Sequence, residues 1–227
     1  MSASDTGGGG PQRDAFLGGE GDRWFARNDS QDIAPYMRSA LDSISRFLHP
    51  GQHVLEIGCA NGRNLAYLAQ ARAGLNCSGV EPSAAAVTAA RQLYPSLRVE
   101  QGSADRLPYA NGSVDLVFFG FCLYLVDREL VLAVVAEADR VLRDGGFIAI
   151  VDFDPVSPRR RAYRHLPGVF SYKMDYSRPF LASAHYSLAH KHSYSHAGSD
   201  FHPQPSERVA TTVLHKSVAA GYVDESD

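Results

Sequence analysis

Two acidic side chains, separated by a turn of small residues, carry the chemistry that the sequence suggests. Glu56 lies in a short apolar run just before Gly58, and Glu81 ends the next apolar run, 81 − 62 = 19 residues after Gly62. Small residues let a ligand approach the backbone, and a helix that starts after such a turn offers unpaired N–H groups. A carboxylate at the spacing of Glu81 can accept hydrogen bonds from both hydroxyls of a ribose. The pattern therefore predicts a nucleotide-sized binding site.

The elements that must position these residues are predicted from the periodicity of apolar side chains. Short apolar runs predict buried parallel strands, and apolar residues at helical spacing predict helices that pack on a sheet. The predicted strands cover residues 53–57, 77–81, 97–101, 114–120 and 147–153, followed by residues 184–195 and 208–216. The predicted helices cover residues 33–48, 64–69, 84–93 and 128–142, with Ser83 as an N-cap and Gly145-Gly146 as the final stop.

The composition indicates one sizeable core, since the chain has 227 residues and is 44% hydrophobic. A net charge of −3 gives no overall basic surface for nucleic acid. Three cysteines, Cys59, Cys77 and Cys122, fall in or beside apolar runs, which is typical of reduced thiols. We find no metal-ligand spacing, no signal-peptide pattern and no apolar run of membrane-spanning length. We therefore expect a cytoplasmic protein without a metal.

Five short motifs follow one another in the first two thirds of the chain. The first is Glu56-Ile57-Gly58-Cys59-Ala60-Asn61-Gly62, and the others are Glu81-Pro82-Ser83 and residues 102–108, 113–117 and 140–146. In their order and spacing they resemble the motifs of the class I S-adenosylmethionine-dependent methyltransferases, with Ala60 in place of the middle glycine. The resemblance covers roughly residues 45–153. It implies an α/β fold, a Rossmann-like doubly wound and mostly parallel seven-stranded sheet with an antiparallel C-terminal strand.

The resemblance also implies S-adenosyl-L-methionine as the cofactor and suggests its contacts. Glu56 would hold the loop or meet the amino group through water, and Glu81 would hold the ribose diol. Ala104 would meet the adenine edge, together with either Ser103 or Asp105. The remaining implied cofactor contacts are Gly58, Cys59, Ala60, Gly62, Asn64, Pro82 and Gly120.

The domain organisation is predicted from the change in composition along the chain. Residues 1–19 are rich in glycine and poor in apolar side chains, so we expect a disordered N-terminal tail. Residues 20–227 are expected to form a single methyltransferase domain, with the cofactor-binding core at about 45–153 and a substrate-side part at about 154–227. Trp24, the only tryptophan, either covers the ligand site or anchors the preceding segment to the core.

Methyl transfer asks mainly for alignment of a nucleophile with the methyl group, and a base is needed only if the nucleophile must lose a proton. The candidate catalytic residues are Tyr124, Asp175, Tyr176, His185 and His190. The candidate substrate-binding residues are Trp24, Tyr124, Arg160 and Tyr172. The basic run at residues 159–164 is either a solvated face or a binding site for a phosphate or carboxylate on the substrate.

The sequence favours a methyltransferase that acts on a small-molecule metabolite, such as a secondary metabolite or a nucleotide sugar, at an O, N or C nucleophile. Two alternatives stay open at this point: an NAD-dependent oxidoreductase, which would share the loop and the ribose carboxylate, and a non-catalytic cofactor-binding partner of another protein. The expected partner is a small-molecule substrate, with neither nucleic acid nor membrane, and a homodimer is one expected assembly.

Overall fold

The computed structural model describes residues 10–30, 32–198 and 200–222. Its strands are β1 His53–Ile57, β2 Asn76–Glu81, β3 Arg98–Gln101, β4 Val114–Gly120, β5 Leu142–Phe153, β6 Arg159–Ala162, β7 Phe170–Lys173, β8 Tyr186–Ser195 and β9 Arg208–Lys216. Seven of them form one sheet in the order β3-β2-β1-β4-β5-β9-β8, and β6 pairs with β7 in a separate ribbon.

The strands at the centre of the sheet are parallel, and β9 is antiparallel to both of its neighbours. The central strands are the least polar, as expected for strands that are covered on both faces. The chain order reverses between β1 and β4, and open α/β sheets form a ligand crevice at such a point, beyond the carboxyl ends of the strands. The predicted fold class is confirmed.

The helices are α1 Pro11–Ala15, α2 Gly21–Asn28, α3 Pro35–Ser45, α4 Arg63–Ala71, α5 Ala84–Leu93, α6 Val131–Val141 and α7 Arg178–Leu181. They cover both faces of the sheet. Successive side chains of β4 point to opposite sides, so each face offers apolar side chains to the helices that cover it. Phe118 packs with α3, α4 and α5 on one face, and Phe119 packs with α6 and α7 on the other. Ser83 caps α5 as predicted, since its Oγ accepts a hydrogen bond from the Ala86 N–H at 3.0 Å.

The predicted stop of α6 at Gly145-Gly146 is wrong. The helix ends at Val141, and β5 begins at once because Leu142 pairs with Val114 of β4. The two glycines lie within β5, where the pairing with β4 shifts register. A Cβ atom on Gly146 would lie 2.8 Å from the carbonyl oxygen of Asp115. Close backbone approach, not helix termination, therefore explains that glycine.

The expectation of a disordered tail over residues 1–19 is wrong for residues 10–19, and residues 1–9 lie outside the described residues. α1 is followed by a π-helical turn, Phe16–Glu20, and then by α2. The ordering contacts come from far along the chain, because Asp127 accepts hydrogen bonds from the N–H groups of Gln12 and Arg13. The low apolar content of this segment gives no indication of these hydrogen bonds to Asp127.

Candidate active site

A cleft opens at the carboxyl ends of β1, β2 and β4 and is covered by the segment from Gly10 to Asn28, which we call the lid. Its empty volume is about 850 Å³ including the open mouth. Residues from the motif loops that line it are Gly58, Glu81, Pro82, Ser103, Ala104 and Asp105. The lid contributes Gln12, Arg13, Phe16, Leu17, Gly21 and Trp24.

The loop after β1 turns tightly because three of its residues have positive φ. Gly58 and Gly62 have φ of 73° and 78°, and Ala60 has φ of 46°. A Cβ on Gly58 would lie 2.6 Å from the Cβ of Cys122, so only glycine fits there. Ala60 occupies the left-handed region at a cost of about 1 kcal/mol that the family's glycine would avoid.

Glu81 ties this loop to the end of β2. Its carboxylate accepts hydrogen bonds from the N–H of Ala60 at 2.8 Å and from the N–H of Ser83 at 3.0 Å. Burial raises the pKa of Glu81, although both N–H groups act against that shift. Because the same side chain lines the cleft, it combines loop anchoring with a position suited to a ribose diol.

Glu56 is fully enclosed behind the cleft. Its Oε1 accepts a hydrogen bond from Nδ2 of Asn64 at 2.7 Å, and its Oε2 has no partner among the described residues. Burial raises the pKa of Glu56 to about 8, against the opposing effect of Asn64. A buried acceptor without a donor fits a ligand that brings an ammonium group. Gly120 leaves room for this carboxyl, because a Cβ there would lie 2.9 Å from Oε1.

The far end of the cleft is formed by the residues after β3. Asp105 pairs with Arg13 of the lid, with Nη1 and Oδ2 2.8 Å apart. Burial alone would raise the pKa of Asp105, but hydrogen bonds from Ser103 and Arg13 outweigh it and hold that pKa below its ordinary value. Both Ser103 and Asp105 line the cleft, so the structure leaves both as candidates for the adenine edge.

The lid is attached to three other parts of the fold. Asp127 accepts the first N–H groups of α1, and Asp22 accepts hydrogen bonds from Ser83 Oγ at 2.6 Å and from the Ala85 N–H at 3.1 Å. Glu20, which is fully buried, bonds to Arg23, Arg27 and the hydroxyl of Tyr163. The lid therefore bridges the start of α5, the loop after β4 and the segment after β6.

Tyr124 is the candidate catalytic residue that lies beside the cleft. The indole of Trp24, a lining residue, is next to its hydroxyl, and its ring contacts Phe153 edge-on with the centroids 5.3 Å apart. Burial raises the pKa of Tyr124, so the hydroxyl stays neutral and can donate a hydrogen bond. The structure thus places Tyr124 and Trp24 together, as the lid interpretation of Trp24 predicts.

The other catalytic candidates lie elsewhere, so the geometry argues against a catalytic role for them. Asp175 bonds to Lys191 at 2.9 Å, and Tyr176 is buried with its hydroxyl donating to the Tyr172 carbonyl. His185 precedes β8 at the amino ends of the parallel strands, opposite the cleft, since Tyr186 pairs with Lys216. His190 is paired with Val213 in the middle of the edge strand.

Several predicted contacts support the loop from behind instead of lining the cleft. Cys59 is buried against Gly79, Gly62 begins α4 and Asn64 holds Glu56. Among the substrate candidates, Tyr172 packs under the Arg128 guanidinium at 4.4 Å, and Arg160 stacks on Phe170 at 4.6 Å.

The predicted site residues do not include Gln12, Arg13, Asp127 and Phe121, which all line the cleft. The first three act through contacts between distant parts of the chain, and no local pattern signals them. Phe121 could have been suspected because it follows β4 directly, where ligands bind in such folds. Its φ of 56° marks a strained turn at that point.

Metal-ligand clusters and membrane-spanning helices can both be sought among the residues that the structure describes. No group of three or more His, Cys, Asp or Glu side chains in that part of the chain could hold a metal ion. None of its helices is long and apolar enough to cross a membrane.

The sequence and the fold are both similar to those of known proteins. Residues 55–150 match the family model described as a methyltransferase domain. An uncharacterized methyltransferase of Synechocystis is 33% identical over 105 residues, which are 46% of this chain and 49% of that protein. A demethylmenaquinone methyltransferase of Beutenbergia cavernae is 31% identical over 130 residues, covering 56% of this chain and 52% of its own length. The chain thus spans about half the length of these curated relatives.

Among solved structures, the fold is similar to that of a methyltransferase of Burkholderia thailandensis, the 1,6-didemethyltoxoflavin-N1-methyltransferase with bound S-adenosylhomocysteine. The TM-score is 0.68 at 16% identity, over 90% of this chain and 87% of that one. Residues 55–150 thus match a methyltransferase domain, and the fold around them is similar to that of a solved S-adenosylmethionine-dependent methyltransferase. The match to a methyltransferase domain favours S-adenosylmethionine over NAD as the cofactor. The glycine turn at Gly58 and the Glu56 Oε2 atom, which has no partner among the described residues, fit that cofactor.

Proposed function

We propose that the protein transfers the methyl group of S-adenosylmethionine to a small-molecule metabolite. The observation that carries this proposal is the covered cleft, in which the lid closes over the cofactor residues and Trp24 and Phe121 form part of the wall. An enclosed aromatic wall suits a compact acceptor better than a folded nucleic acid or protein. Two of the similar proteins are named for small-molecule acceptors, a demethylated menaquinone and a demethylated toxoflavin, which supports the proposal.

In the proposed reaction the cofactor and the protein have different tasks. When bound, the cofactor supplies a methyl group that its sulfonium already activates. The protein then has to align the acceptor atom and exclude water, tasks that suit the lid and the aromatic wall. Tyr124 would shape the acceptor side and donate a hydrogen bond. Asp152 would position it, since its carboxylate accepts hydrogen bonds from the backbone N–H groups of Tyr124 and Phe153.

The proposed roles of the motif residues follow their positions. Glu81 would hold the ribose, Glu56 would face the methionine ammonium, and Ala104 with Ser103 or Asp105 would hold the adenine. Trp24 would contact the acceptor from the lid side. We further propose that residues 20–227 act as one methyltransferase domain to which the whole lid belongs.

The proposed location is the cytoplasm, which the three free cysteines support, since Cys59 and Cys77 are buried and Cys122 is half-buried. A homodimer is one candidate assembly, and light scattering would distinguish it from a monomer.

An acceptor screen tests the function directly. The full chain is incubated with methyl-labelled S-adenosylmethionine and with cell extract separated into small metabolites, RNA and protein. Label in the metabolite fraction alone is expected. Label only in RNA or protein would overturn the proposal. Label in no fraction, together with calorimetric binding of S-adenosylhomocysteine, would favour a non-catalytic cofactor-binding partner.

A further inference from the structure

One face of the β6–β7 ribbon carries cationic side chains that lack acidic partners. The register pairs Arg159 with Lys173 and Arg161 with Ser171, and side chains paired in this way share a face of the ribbon. None of the ion pairs formed between described residues includes Arg159, Arg161 or Lys173. This part of the basic run is therefore free to bind an anion.

Lys173 is the member of this group that contacts an aromatic ring near the cleft. Its Nζ lies 3.7 Å from the centroid of the Phe153 ring. The Phe153 ring contacts Tyr124 at 5.3 Å and Phe121 at 5.5 Å between centroids, and Phe121 lines the cleft. Two aromatic rings in contact thus connect the ammonium group to the cofactor site.

Most of the nearby carboxylates are engaged by other groups, and Glu207 is the acid whose charge acts most strongly on Lys173, in the direction that raises its pKa. Asp154 and Asp175 both bind Lys191, each at 2.9 Å. Asp152 accepts hydrogen bonds from backbone N–H groups at the end of β5. Burial lowers the pKa of Lys173. The neighbouring carboxylates therefore stabilise its ammonium charge by less than the loss of solvent destabilises it. A bound anion would provide that missing compensation.

We propose that the acceptor carries an anionic group, a carboxylate or a phosphate, that binds Lys173 with Arg159 and Arg161 beside it. This inference rests on the proposed function, because it names the chemistry of the acceptor at that same site. The rings of Phe121, Tyr124 and Phe153 would contact the uncharged part of the acceptor, between the anion and the methyl group. The inference moves acceptor recognition from Arg160, the residue that the sequence suggested, to the opposite face of the ribbon.

Arg160 provides the matched control. It belongs to the same ribbon and carries the same charge, but it pairs with Tyr172 and stacks on Phe170 on the other face. Lys173→Gln and Arg160→Gln each remove one positive charge from the ribbon. A non-specific effect of net charge would change both variants equally.

The test uses the full chain saturated with S-adenosylhomocysteine and three probes: phenyl phosphate, benzoate and uncharged benzamide. Calorimetric titration is expected to show at least one anion binding at least about tenfold more tightly than benzamide, as for a charge-assisted hydrogen bond. Lys173→Gln should remove that preference and Arg160→Gln should keep it. Preference for phenyl phosphate indicates a phosphate in the acceptor, and preference for benzoate indicates a carboxylate.

Equal binding of the three probes, binding of neither anion, or an equal loss in both variants would overturn the inference. If Lys173→Gln fails to fold, the exposed pair Arg159→Gln and Arg161→Gln serves instead and should weaken anion binding by about threefold or more. Transfer of label to a neutral metabolite in the acceptor screen would overturn this inference and leave the proposed function standing.

Discussion

Replacement of Glu56 by glutamine isolates the effect of one buried ionisable group. The carboxyl is enclosed at the end of β1, with one oxygen bonded to Asn64 and the other without a partner. Glutamine has the same shape and keeps an acceptor for Asn64 Nδ2. It stays neutral at every pH that the fold tolerates. We therefore expect Glu56→Gln to fold and to respond differently to pH.

The magnitude follows from the pKa of Glu56, which burial raises from 4.5 to about 8. Below the lower value both the folded and the unfolded chain hold the proton, so the full stability is present. Between the two values the unfolded chain releases its proton while the folded chain retains it. The free energy of unfolding therefore falls as pH rises, and integration from pH 5 to pH 8 gives roughly 3 kcal/mol from this group.

The assay is urea denaturation of the ligand-free protein at pH values from 5 to 8. Relative to Glu56→Gln, the native protein should lose roughly 3 kcal/mol across that range. Glu129→Gln, at an exposed position, is the control and should follow the native profile. In a second measurement, S-adenosylhomocysteine should bind Glu56→Gln about tenfold more weakly, because the variant lacks a charge for the ligand's ammonium.

Parallel pH profiles for the native protein and Glu56→Gln would refute the reasoning about burial. Unchanged affinity for S-adenosylhomocysteine, with the stability difference present, would refute only the contact with the ammonium group. The two readouts thus separate the electrostatics of the fold from the role of Glu56 at the site.

Three further predictions concern the loop and the lid. Ala60→Gly should raise the free energy of unfolding by about 0.5–1 kcal/mol in urea denaturation, because glycine accepts a φ of 46°; an unchanged or lower value contradicts the strain. Glu81→Ala should lower it by about 2 kcal/mol and weaken S-adenosylhomocysteine binding in calorimetry, because two backbone N–H groups lose their acceptor; full stability in that variant would argue against the anchoring role. Arg13→Gln should speed release of S-adenosylhomocysteine by about fivefold, because the lid loses its ion pair with Asp105. Stopped-flow fluorescence of Trp24 measures that rate. Arg23→Gln is the control and should show the native rate, since the Arg23 side chain is mostly exposed.

The central sheet could be predicted from the sequence because each strand is a short apolar run. Residues 114–120 are predicted with the bounds that the structure has, and the apolar run that begins at His53 is β1. Both the apolar runs and the small residues of the turn after β1 are local properties of the chain. The end of α6 was missed because the pairing of Leu142 with Val114, a contact between distant residues, sets it.

The acceptor side could not be predicted in the same way. Alternation within residues 159–162 shows that neighbouring arginines point to opposite faces, but only the partner strand shows which face meets Phe153. His185 and His190 are candidates because histidine often accepts and donates protons near neutral pH. The antiparallel return of β9 fixes where β8 begins, and that topology carries His185 to the other end of the sheet.

The side chain of Gln12 connects the two sides of the candidate site. Its Nε2 donates to the Leu125 carbonyl at 2.7 Å, and its Oε1 accepts from the Phe170 N–H at 2.7 Å. One lid residue thus joins the loop on the cofactor side to the ribbon on the acceptor side. A ligand that fixes the lid over the first should also fix the second, so the two binding equilibria are linked. We expect each ligand to raise the affinity for the other by the same factor, because both act on the position of one side-chain amide.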